Sequence, residues 1–233
     1  MRYPGGKGKC FQHIVNILPP HSTYIETHLG GGSVLLNKAP ATENIGIDRD
    51  PRVIRFWKKN FPDIANFIET DAIDFLEASS FQGDELVYCD PPYLPQTRRR
   101  QNVYRFDYTE SDHVVLLNRL RALPCFVVIS GYQSELYENL LGGWNSLQFP
   151  AKTHHGVRTE WVWFNFNLPK RLHDAAYLGS NFRERQVIKR RQIRLRDRIS
   201  KLPDAEKHLV YDWLHLHLKD EEGKHANLLL TER

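Results

Sequence analysis

The sequence lacks the features that mark a membrane-spanning, secreted or disulfide-stabilised protein. No apolar run approaches the length of a membrane span, and the longest candidates, such as Phe126 to Ile129, have the length of a strand. The N-terminal residues contain no apolar signal-peptide core. The three cysteines, Cys10, Cys89 and Cys125, are odd in number, far apart and without metal-ligand spacing. We therefore expect a reducing, cytoplasmic location, no bound metal and no contact with a membrane.

The net positive charge of the chain is concentrated in one segment. At 233 residues, the chain can hold one α/β domain with a substantial core and a small appendage. The net charge is +4, yet residues 170–201 contain eleven Lys or Arg against three acids, which is +8 and leaves −4 elsewhere. Such a basic block fits a phosphate backbone, although a solvated helix or an anionic membrane surface would also fit.

A glycine-rich loop lies between a predicted strand, Tyr24 to Thr27, and a predicted helix, Val34 to Lys38. Glycines in this position let backbone amides approach a ligand closely at the start of a helix. Gly30 and Gly32 fit the first two positions of the dinucleotide fingerprint, but Leu35 occupies the third. The loop therefore favours a nucleoside-containing cofactor other than a dinucleotide.

An acidic residue follows the second predicted strand, Asn44 to Ile47. Asp48 lies 18 residues after Gly30, which is close to the spacing at which a carboxylate binds ribose hydroxyls. The alternative is that the glycines form only a tight turn and that Asp48 caps the helix that starts near Pro51. Asp71 has two readings as well, because it is either the N-cap of a helix or lies beside the base of the cofactor.

Strands alternate with helices along residues 1–168, which predicts a doubly wound, Rossmann-like α/β sheet. Its last two strands are expected to form an antiparallel edge hairpin, and residues 169–233 a basic helical extension. Helical patterns are predicted for Val53 to Asn60, Ile64 to Ile68 and Ser111 to Leu123, with a cap at Ser111. The hairpin strands are predicted at Trp144 to Phe149 and Thr159 to Phe166, joined by Pro150 to Arg158.

The run Leu86 to Cys89 predicts a buried strand, and the four residues after it form a rigid corner. Pro91 ends the strand because proline has no amide hydrogen for ladder pairing. Asp90 and Tyr93 then stand at the carboxyl end of the strand, where open α/β sheets bind ligands. A carboxylate and an exposed aromatic ring fixed there could bind a flat group that carries an amine, although a plain turn is the simpler alternative.

Together these segments resemble the Dam-type adenine-N6 DNA methyltransferases over residues 1–168. The opening Arg2 to Lys7 is similar to the family's aromatic-x-Gly-Gly-Lys motif, and Tyr24 to Ser33 to its glycine loop, with Thr27-His28 in place of the usual Pro-Phe. Asp90 to Tyr93 matches the family's Asp-Pro-Pro-Tyr tetrapeptide without substitution, and Thr159 to Asn165 resembles a later strand that supports the target pocket. The source implied is a bacterial or phage-infected cell, with a restriction-modification role as one context.

The resemblance implies methyl transfer from S-adenosylmethionine to the N6 amine of an adenine that has flipped out of double-stranded DNA. Asp90 and the adjacent backbone carbonyl would accept the two amine hydrogens, so that the nitrogen lone pair faces the methyl group, while the base stacks on Tyr93. The catalytic residues implied are Lys7, Asp90, Pro91, Pro92 and Tyr93. The cofactor-binding residues implied are Tyr3, Lys7, Glu26, Gly30, Gly32, Asp48, Asp71 and Asp90.

The sequence departs from the family by lacking a target-recognition insert. Only residues 72–89 lie between Asp71 and Asp90, and one helix and one strand account for them. We therefore expect the nucleic-acid contacts in two places, the arm after Tyr93 (Arg98 to Tyr108) and the basic extension. The alternatives are that the arm is a solvated loop and that the extension is a charged helix on the body. The contact residues expected are Arg98, Arg99, Arg100, Tyr104, Arg105, Arg190, Arg191 and Arg194.

Three other functions remain open from the sequence alone. The same chemistry could act on RNA, because positive charge does not distinguish the two polymers. A non-catalytic nucleic-acid-binding protein could use a methyltransferase fold, although the intact Asp90 to Tyr93 argues against it. A nicotinamide oxidoreductase is disfavoured by the missing third glycine and by the lack of a separate substrate domain.

Overall fold

A mixed seven-stranded sheet organises the N-terminal part of the protein, which we describe from a computed structural model covering residues 7–8, 10–98, 105–153 and 156–230. The strands of the described residues are β1 (Thr23–Glu26), β2 (Glu43–Asp48), β3 (Asn66–Glu69), β4 (Glu85–Cys89), β5 (Phe126–Gly131), β6 (Asn145–Thr153) and β7 (Gly156–Phe164). Their order is β3-β2-β1-β4-β5-β7-β6. The pairs among β1 to β5 are parallel, and β7 pairs antiparallel with both β5 and β6. This confirms the predicted Rossmann-like α/β fold with its antiparallel edge hairpin.

Helices cover both faces of the sheet. They are α1 (Phe11–Val15), α2 (Ser33–Asn37), α3 (Pro51–Asn60), α4 (Ala72–Ala78), α5 (Glu110–Arg121) and α6 (Glu135–Leu141). Alternate strand residues point to opposite faces, so Leu86 and Tyr88 join the core under α1 to α3, whereas Val87 and Cys89 join the core under α4 to α6. Because strand β4 is buried on both faces, it reads as a continuous apolar run.

The glycine loop between β1 and α2 is shaped by close packing against α3. Gly30 and Gly32 have φ values of +42° and +56°, a left-handed conformation that favours glycine. A Cβ atom on Gly32 would lie 2.3 Å from Cζ2 of Trp57, a side chain that is itself buried. The indole nitrogen of Trp57 donates to the Gly30 carbonyl at 3.0 Å. Both glycines are thus required by the fold of the loop.

Three local predictions were wrong. The segment Ile64 to Ile68 is not helical, because Asn66–Glu69 is strand β3, paired in parallel with β2. Helix α5 is capped by Thr109 rather than by Ser111, since Thr109 and Asp112 form a reciprocal capping box. Pro150 lies inside β6 and not in a loop, which is tolerated because β6 is at the edge of the sheet.

The first compact unit runs to Tyr177, nine residues past the predicted end of the catalytic domain. The segment 170–177 belongs to this unit because hydrogen bonds and a ring contact attach the segment to the body of the unit. The backbone amide of His173 donates to the Leu18 carbonyl at 2.9 Å, and Asp174 accepts from the Ala39 amide at 2.8 Å. The ring of Tyr177 packs edge-on against Phe11 with centroids 5.0 Å apart.

The second unit, Leu178–Arg233, contains two helices among its described residues, α7 (Phe182–Ser200) and α8 (Asp204–Leu230). Helix α7 begins at an Asn181 cap and has no fully buried residue. Its arginines at 190, 191 and 194 are exposed. Among the described residues, no helix of either unit combines the length and the hydropathy of a membrane span.

Candidate active site

The carboxyl ends of β2, β3 and β4 open into one cleft of about 450 Å³, measured with its open mouth. Parallel strands place their carboxyl ends at the same edge of a sheet, so the residues that follow them converge there. The cleft lies beside β1 and β4, where the order of the strands reverses. Its charged and aromatic lining includes Asp48, Asp71, Asp90, His28, Phe106 and Tyr108.

Asp90 is held by Lys7 and Tyr93. Lys7 Nζ donates to Asp90 Oδ1 at 2.7 Å and also to the Tyr93 hydroxyl, and it lies 4.8 Å from the centroid of the Tyr93 ring. Burial raises the pKa of Asp90 above its usual value, although Lys7 and the Tyr93 hydroxyl counteract this by favouring the carboxylate. One carboxylate oxygen is therefore fixed by an ammonium group, in a corner that the two prolines hold rigid.

Lys7 is itself nearly inaccessible and contacts a second acid. Its side chain is 3% exposed, and Nζ lies 3.5 Å from Oε2 of Glu160, a buried residue of β7. Burial alone would lower the pKa of Lys7, but the attraction of Asp90 and Glu160 outweighs it, so that the pKa is raised well above its usual value. Lys7 is thus a permanent cation between two carboxylates.

Asp48 organises the glycine loop from the end of β2. Its Oδ2 accepts from the Gly30 amide and its Oδ1 from the Asp50 amide, each at 2.8 Å. The N-cap of α3 is Asp50 and not Asp48, so the capping alternative for Asp48 is wrong. Burial raises the pKa of Asp48 to about 6, despite the two amide hydrogen bonds. The carboxylate lines the cleft and can still accept hydrogen bonds from a ligand.

Asp71 fits both of the readings that the sequence left open. It caps α4, where Oδ1 accepts from the Ile73 amide at 2.8 Å, and it also lines the cleft. The Tyr108 hydroxyl donates to Oδ2 at 3.2 Å, and Arg49 Nη1 lies 3.4 Å from the same oxygen. Asp71 therefore links the third strand to the arm that follows Tyr93.

His28 brings an imidazole to the cleft. Its Nδ1 lies 3.0 Å from the Thr27 hydroxyl and 3.5 Å from the Cys89 thiol, and its ring meets Tyr108 edge-on. Burial, followed by the nearby His113 and Arg49, lowers the pKa of His28 to about 3. A neutral imidazole therefore occupies the position where the Dam-type family, which the sequence resembles, usually has phenylalanine.

The arm after Tyr93 is fixed by an internal ion pair. The Arg98 guanidinium donates to both carboxylate oxygens of Asp107 at 2.7 and 2.5 Å, and to the Tyr93 carbonyl. Its side chain is only 6% exposed. This bidentate pair forms a clamp that places Phe106 and Tyr108 at the cleft. A nucleic-acid contact by Arg98 stays a prediction.

Tyr93 is also less accessible than predicted. The expectation of an exposed aromatic ring was wrong, since Tyr93 is 8% exposed. Its ring meets Tyr132 edge-on with centroids 4.5 Å apart, and the Arg158 guanidinium lies 3.9 Å from the Tyr132 centroid. Arg158 in turn donates to the Thr97 carbonyl at 2.8 Å, which ties β7 to the arm.

The remaining predicted residues are only partly brought together. Glu26 lies behind the glycine loop, where it accepts from the Tyr24 hydroxyl and the Leu35 amide, and burial raises its pKa to about 8. Pro92 lines the cleft, whereas the predicted residues Glu26, Pro91, Gly30 and Gly32 are not among its lining residues. Arg105 pairs with Asp50 at 3.1 Å and is half exposed. The predicted residues Tyr3, Arg99, Arg100 and Tyr104 lie outside the described residues.

Sequence reasoning assigned no site role to four residues that the structure places at the cleft or against Lys7. A histidine and two aromatic residues line the cleft, and one acid contacts Lys7 from a distant strand; these are His28, Phe106, Tyr108 and Glu160. The substitution of Pro-Phe by Thr27-His28 marked His28 in the sequence. The other three lie in segments that the sequence singled out, Thr159 to Asn165 and the arm after Tyr93, but had no role of their own there.

The lining of the cleft suits S-adenosylmethionine. Three aspartates against one arginine, Arg49, leave the lining net negative, which favours a ligand with a sulfonium and an ammonium charge. Asp48 lies where ribose hydroxyls are commonly bound. Phe106, Tyr108 and a neutral His28 provide the flat, weakly polar surroundings that a purine prefers.

Solved structures with related folds include several methyltransferases. The N-methyltransferase NodS from Bradyrhizobium japonicum WM9 is 12% identical and covers 69% of this chain and 99% of its own, with a TM-score of 0.47. The 23S rRNA methyltransferase ErmE is 12% identical over 78% of this chain and 82% of its own, with a TM-score of 0.46. A Streptococcus mutans protein in complex with SAH is 9% identical over 66% of this chain and 93% of its own, with a TM-score of 0.47.

The sequence comparisons address the family directly. No curated protein matches the chain. Residues 47–146, which include Asp48, Asp71 and the Asp90 to Tyr93 corner, match the model of the D12 class N6 adenine-specific DNA methyltransferases. This segment, which is less than half of the chain, is therefore similar to the D12 class N6 adenine-specific DNA methyltransferases.

Proposed function

We propose that the protein methylates the exocyclic N6 amine of adenine in double-stranded DNA. The observation that carries this proposal is Asp90, a carboxylate fixed by Lys7 at the rim of a cleft that also contains Asp48 and Asp71. A fixed acceptor suits an amine nucleophile, because it can hold the N–H groups while the lone pair turns towards an electrophile. The family match over this same segment supports adenine as the target.

The residues of the site divide the work of the reaction. Lys7 holds Oδ1 of Asp90, and we propose that this carboxylate accepts one hydrogen from the adenine amine. The backbone carbonyl between Asp90 and Pro91 accepts the second hydrogen, so that the nitrogen can become pyramidal. Bound S-adenosylmethionine supplies an activated methyl group on a sulfonium. Alignment and electrostatic stabilisation by fixed groups then provide the acceleration, and no covalent intermediate with the enzyme is needed.

A base inside a duplex cannot reach this buried corner, so the target adenine must flip out. Tyr93 is the surface on which we propose that it stacks. Since Tyr132 meets the Tyr93 ring edge-on in the present structure, entry of the base requires Tyr132 to move aside. Tyr132 is partly exposed and is anchored through Arg158, so its movement is compatible with the rest of the site.

Two surfaces are proposed to contact the DNA. The exposed Arg105 and the arginines of α7 can each approach phosphates, which position the duplex without reading its sequence. The segment between Asp71 and Asp90 has no room for a recognition domain, because α4, β4 and one short turn account for residues 72–89. We propose residues 1–168 as the catalytic domain and the basic extension, residues 169–233, as a DNA-contacting element.

Incubation with S-adenosylmethionine carrying a labelled methyl group tests the proposal. We expect label on N6 of adenine in duplex DNA and little label on single-stranded RNA of matched sequence. Preferential labelling of RNA would replace the substrate while keeping the chemistry. Label on cytosine, or cofactor binding without transfer to any nucleic acid, would contradict the proposed function.

A further inference from the structure

Glu160 is a buried acid for which the proposed reaction has no use. It lies on β7, 153 residues after Lys7, and its side chain is 10% exposed. Glu160 is not among the described residues that line the cleft, and it forms no hydrogen bond with Asp90 there. Its Oε2 nevertheless lies 3.5 Å from Lys7 Nζ. Burying a carboxylate is costly unless it is paired, so its position beside the ammonium group requires an explanation.

Glu160 contacts one buried cation and one proton donor. Its Oε2 forms an ion pair with Lys7 Nζ at 3.5 Å, and the Cys10 thiol, 3.9 Å away, donates to the same oxygen. Burial raises the pKa of Cys10 to about 12, so this thiol keeps its proton and can donate it. A buried cation and a thiol donor therefore both face one oxygen of Glu160, which offsets the cost of burying its carboxylate.

The charges of the cluster do not cancel. Lys7 contributes one positive charge, whereas Asp90 and Glu160 contribute two negative charges. If Glu160 were neutral, Lys7 and Asp90 would form a pair with no net charge. With Glu160 ionised, the cluster retains one negative charge at the wall of the cofactor cleft, and a charge in a poorly solvated site acts strongly on nearby charged groups.

We propose that Glu160 is a positioning residue that acts through Lys7, so that the methyltransferase site binds the cationic methyl donor in preference to its neutral product. The donor carries a sulfonium and the demethylated product a thioether, so the two ligands differ in charge at the sulfur. A net negative cluster favours the first and helps the second to leave. The same charge would stabilise the positive charge that develops on the target amine, a consequence that rests on the proposed function.

The groups that face this cluster determine its pH dependence. They come from four strands and from the N-terminal segment, and they are Lys7, Cys10, Glu26, Tyr88, Asp90, Tyr93, Tyr132 and Glu160. Glu160 raises the pKa of Asp90, so removing its charge should lower that pKa. The acidic limb of a rate profile that depends on ionised Asp90 should therefore move to lower pH in a Glu160→Gln variant.

The experiment measures the affinity of the full-length protein for S-adenosylmethionine and for S-adenosylhomocysteine without DNA. Glu160→Gln keeps the shape of the side chain but removes its charge, and it should reduce the preference for the methyl donor on the order of tenfold. Glu160→Asp retains the charge and should retain most of the preference. Glu77→Gln removes one exposed negative charge from α4 and should leave the preference unchanged.

The outcomes separate the inference from the proposed function. Equal losses of affinity for both ligands, or no change in preference, would overturn the inference and show that Glu160 is only structural. If Glu160→Gln does not fold, the wild-type protein provides the test. Its preference for S-adenosylmethionine over S-adenosylhomocysteine should fall as the cluster is protonated at low pH. A preference that stays constant with pH would overturn the inference. Preference with no methylation of DNA would refute the proposed function alone.

Discussion

Replacing Gly32 with alanine should strongly destabilise the protein through a collision with Trp57. The new Cβ would lie 2.3 Å from Cζ2 and 2.7 Å from Cη2 of the indole, and Trp57 is only 1% exposed, so its ring has little room to move. The φ of +56° adds a second cost, because a residue with a Cβ atom is strained there by about 1–2 kcal/mol. Overpacking in a core typically costs about 1–3 kcal/mol.

The two costs together predict a loss of about 3 kcal/mol in the free energy of unfolding. For a chain of this size, such a loss corresponds to a fall of about 10 °C in Tm. Because Gly32 shares its loop with Gly30, whose amide bonds Asp48 at 2.8 Å, affinity for S-adenosylmethionine should fall as well.

Denaturant unfolding of three variants checks this reasoning. Gly143→Ala is the control, since its Cβ would meet no atom within 4 Å, and it should change stability by less than about 1 kcal/mol. Adding Trp57→Phe removes the colliding ring atoms, so the double variant should be more stable than the sum of the two single changes predicts, by about 1–2 kcal/mol. A Gly32→Ala variant as stable as the control would refute the reasoning.

Two further predictions concern pH and DNA binding. Burial raises the pKa of Asp48 to about 6 from its usual 3.8, so the carboxylate is lost as pH falls through about 6. Cofactor affinity, measured by calorimetry, should fall over the same pH range. The Asp48→Asn variant should bind the cofactor weakly and should not show this fall in affinity. If this dependence persisted in the variant, Asp48 would not be its source. Neutralising three α7 arginines should weaken the salt dependence of DNA binding, so that the slope of log binding constant against log salt concentration becomes smaller in magnitude by about 3. Neutralising three exposed α3 cations should leave this slope unchanged. Equal slopes for the two triple variants would exclude α7 from the DNA contact. The substituted residues are Arg190, Arg191 and Arg194 in α7, and Arg55, Lys58 and Lys59 in α3, each changed to glutamine.

The parts of the fold that depend on local sequence were predictable. Buried parallel strands such as Leu86 to Cys89 are apolar on both faces, and the glycines and acids that follow the strands mark the binding edge of the sheet. The apolar residues of Ile64 to Ile68, in contrast, have helical spacing in a run too short for periodicity to separate a helix from a strand. Pairing with β2 settles that segment, and no local pattern contains this information.

The contacts within the site were less predictable, because they join distant parts of the chain. Lys7 meets Glu160 across 153 residues, and no pattern of spacing links them. Arg98 reads as a free cation in a basic arm until the fold brings Asp107 to its guanidinium. Burial of Tyr93 likewise depends on Tyr132, which follows a different strand. Sequence thus indicates which chemical groups are present, and the tertiary fold decides which of them remain available.

The role of Asp90 as the acceptor for the target amine is tested most directly by single-turnover methyl transfer to duplex DNA with an Asp90→Asn variant. The structure predicts a rate at least about 100-fold lower than that of the wild-type protein, since an oriented anionic acceptor is lost from a buried site. S-adenosylmethionine binding, measured in parallel, should weaken with the loss of one negative charge but remain measurable, because Asp48 and Asp71 remain in the cleft. A variant that binds the cofactor and transfers its methyl group at the wild-type rate would contradict the account.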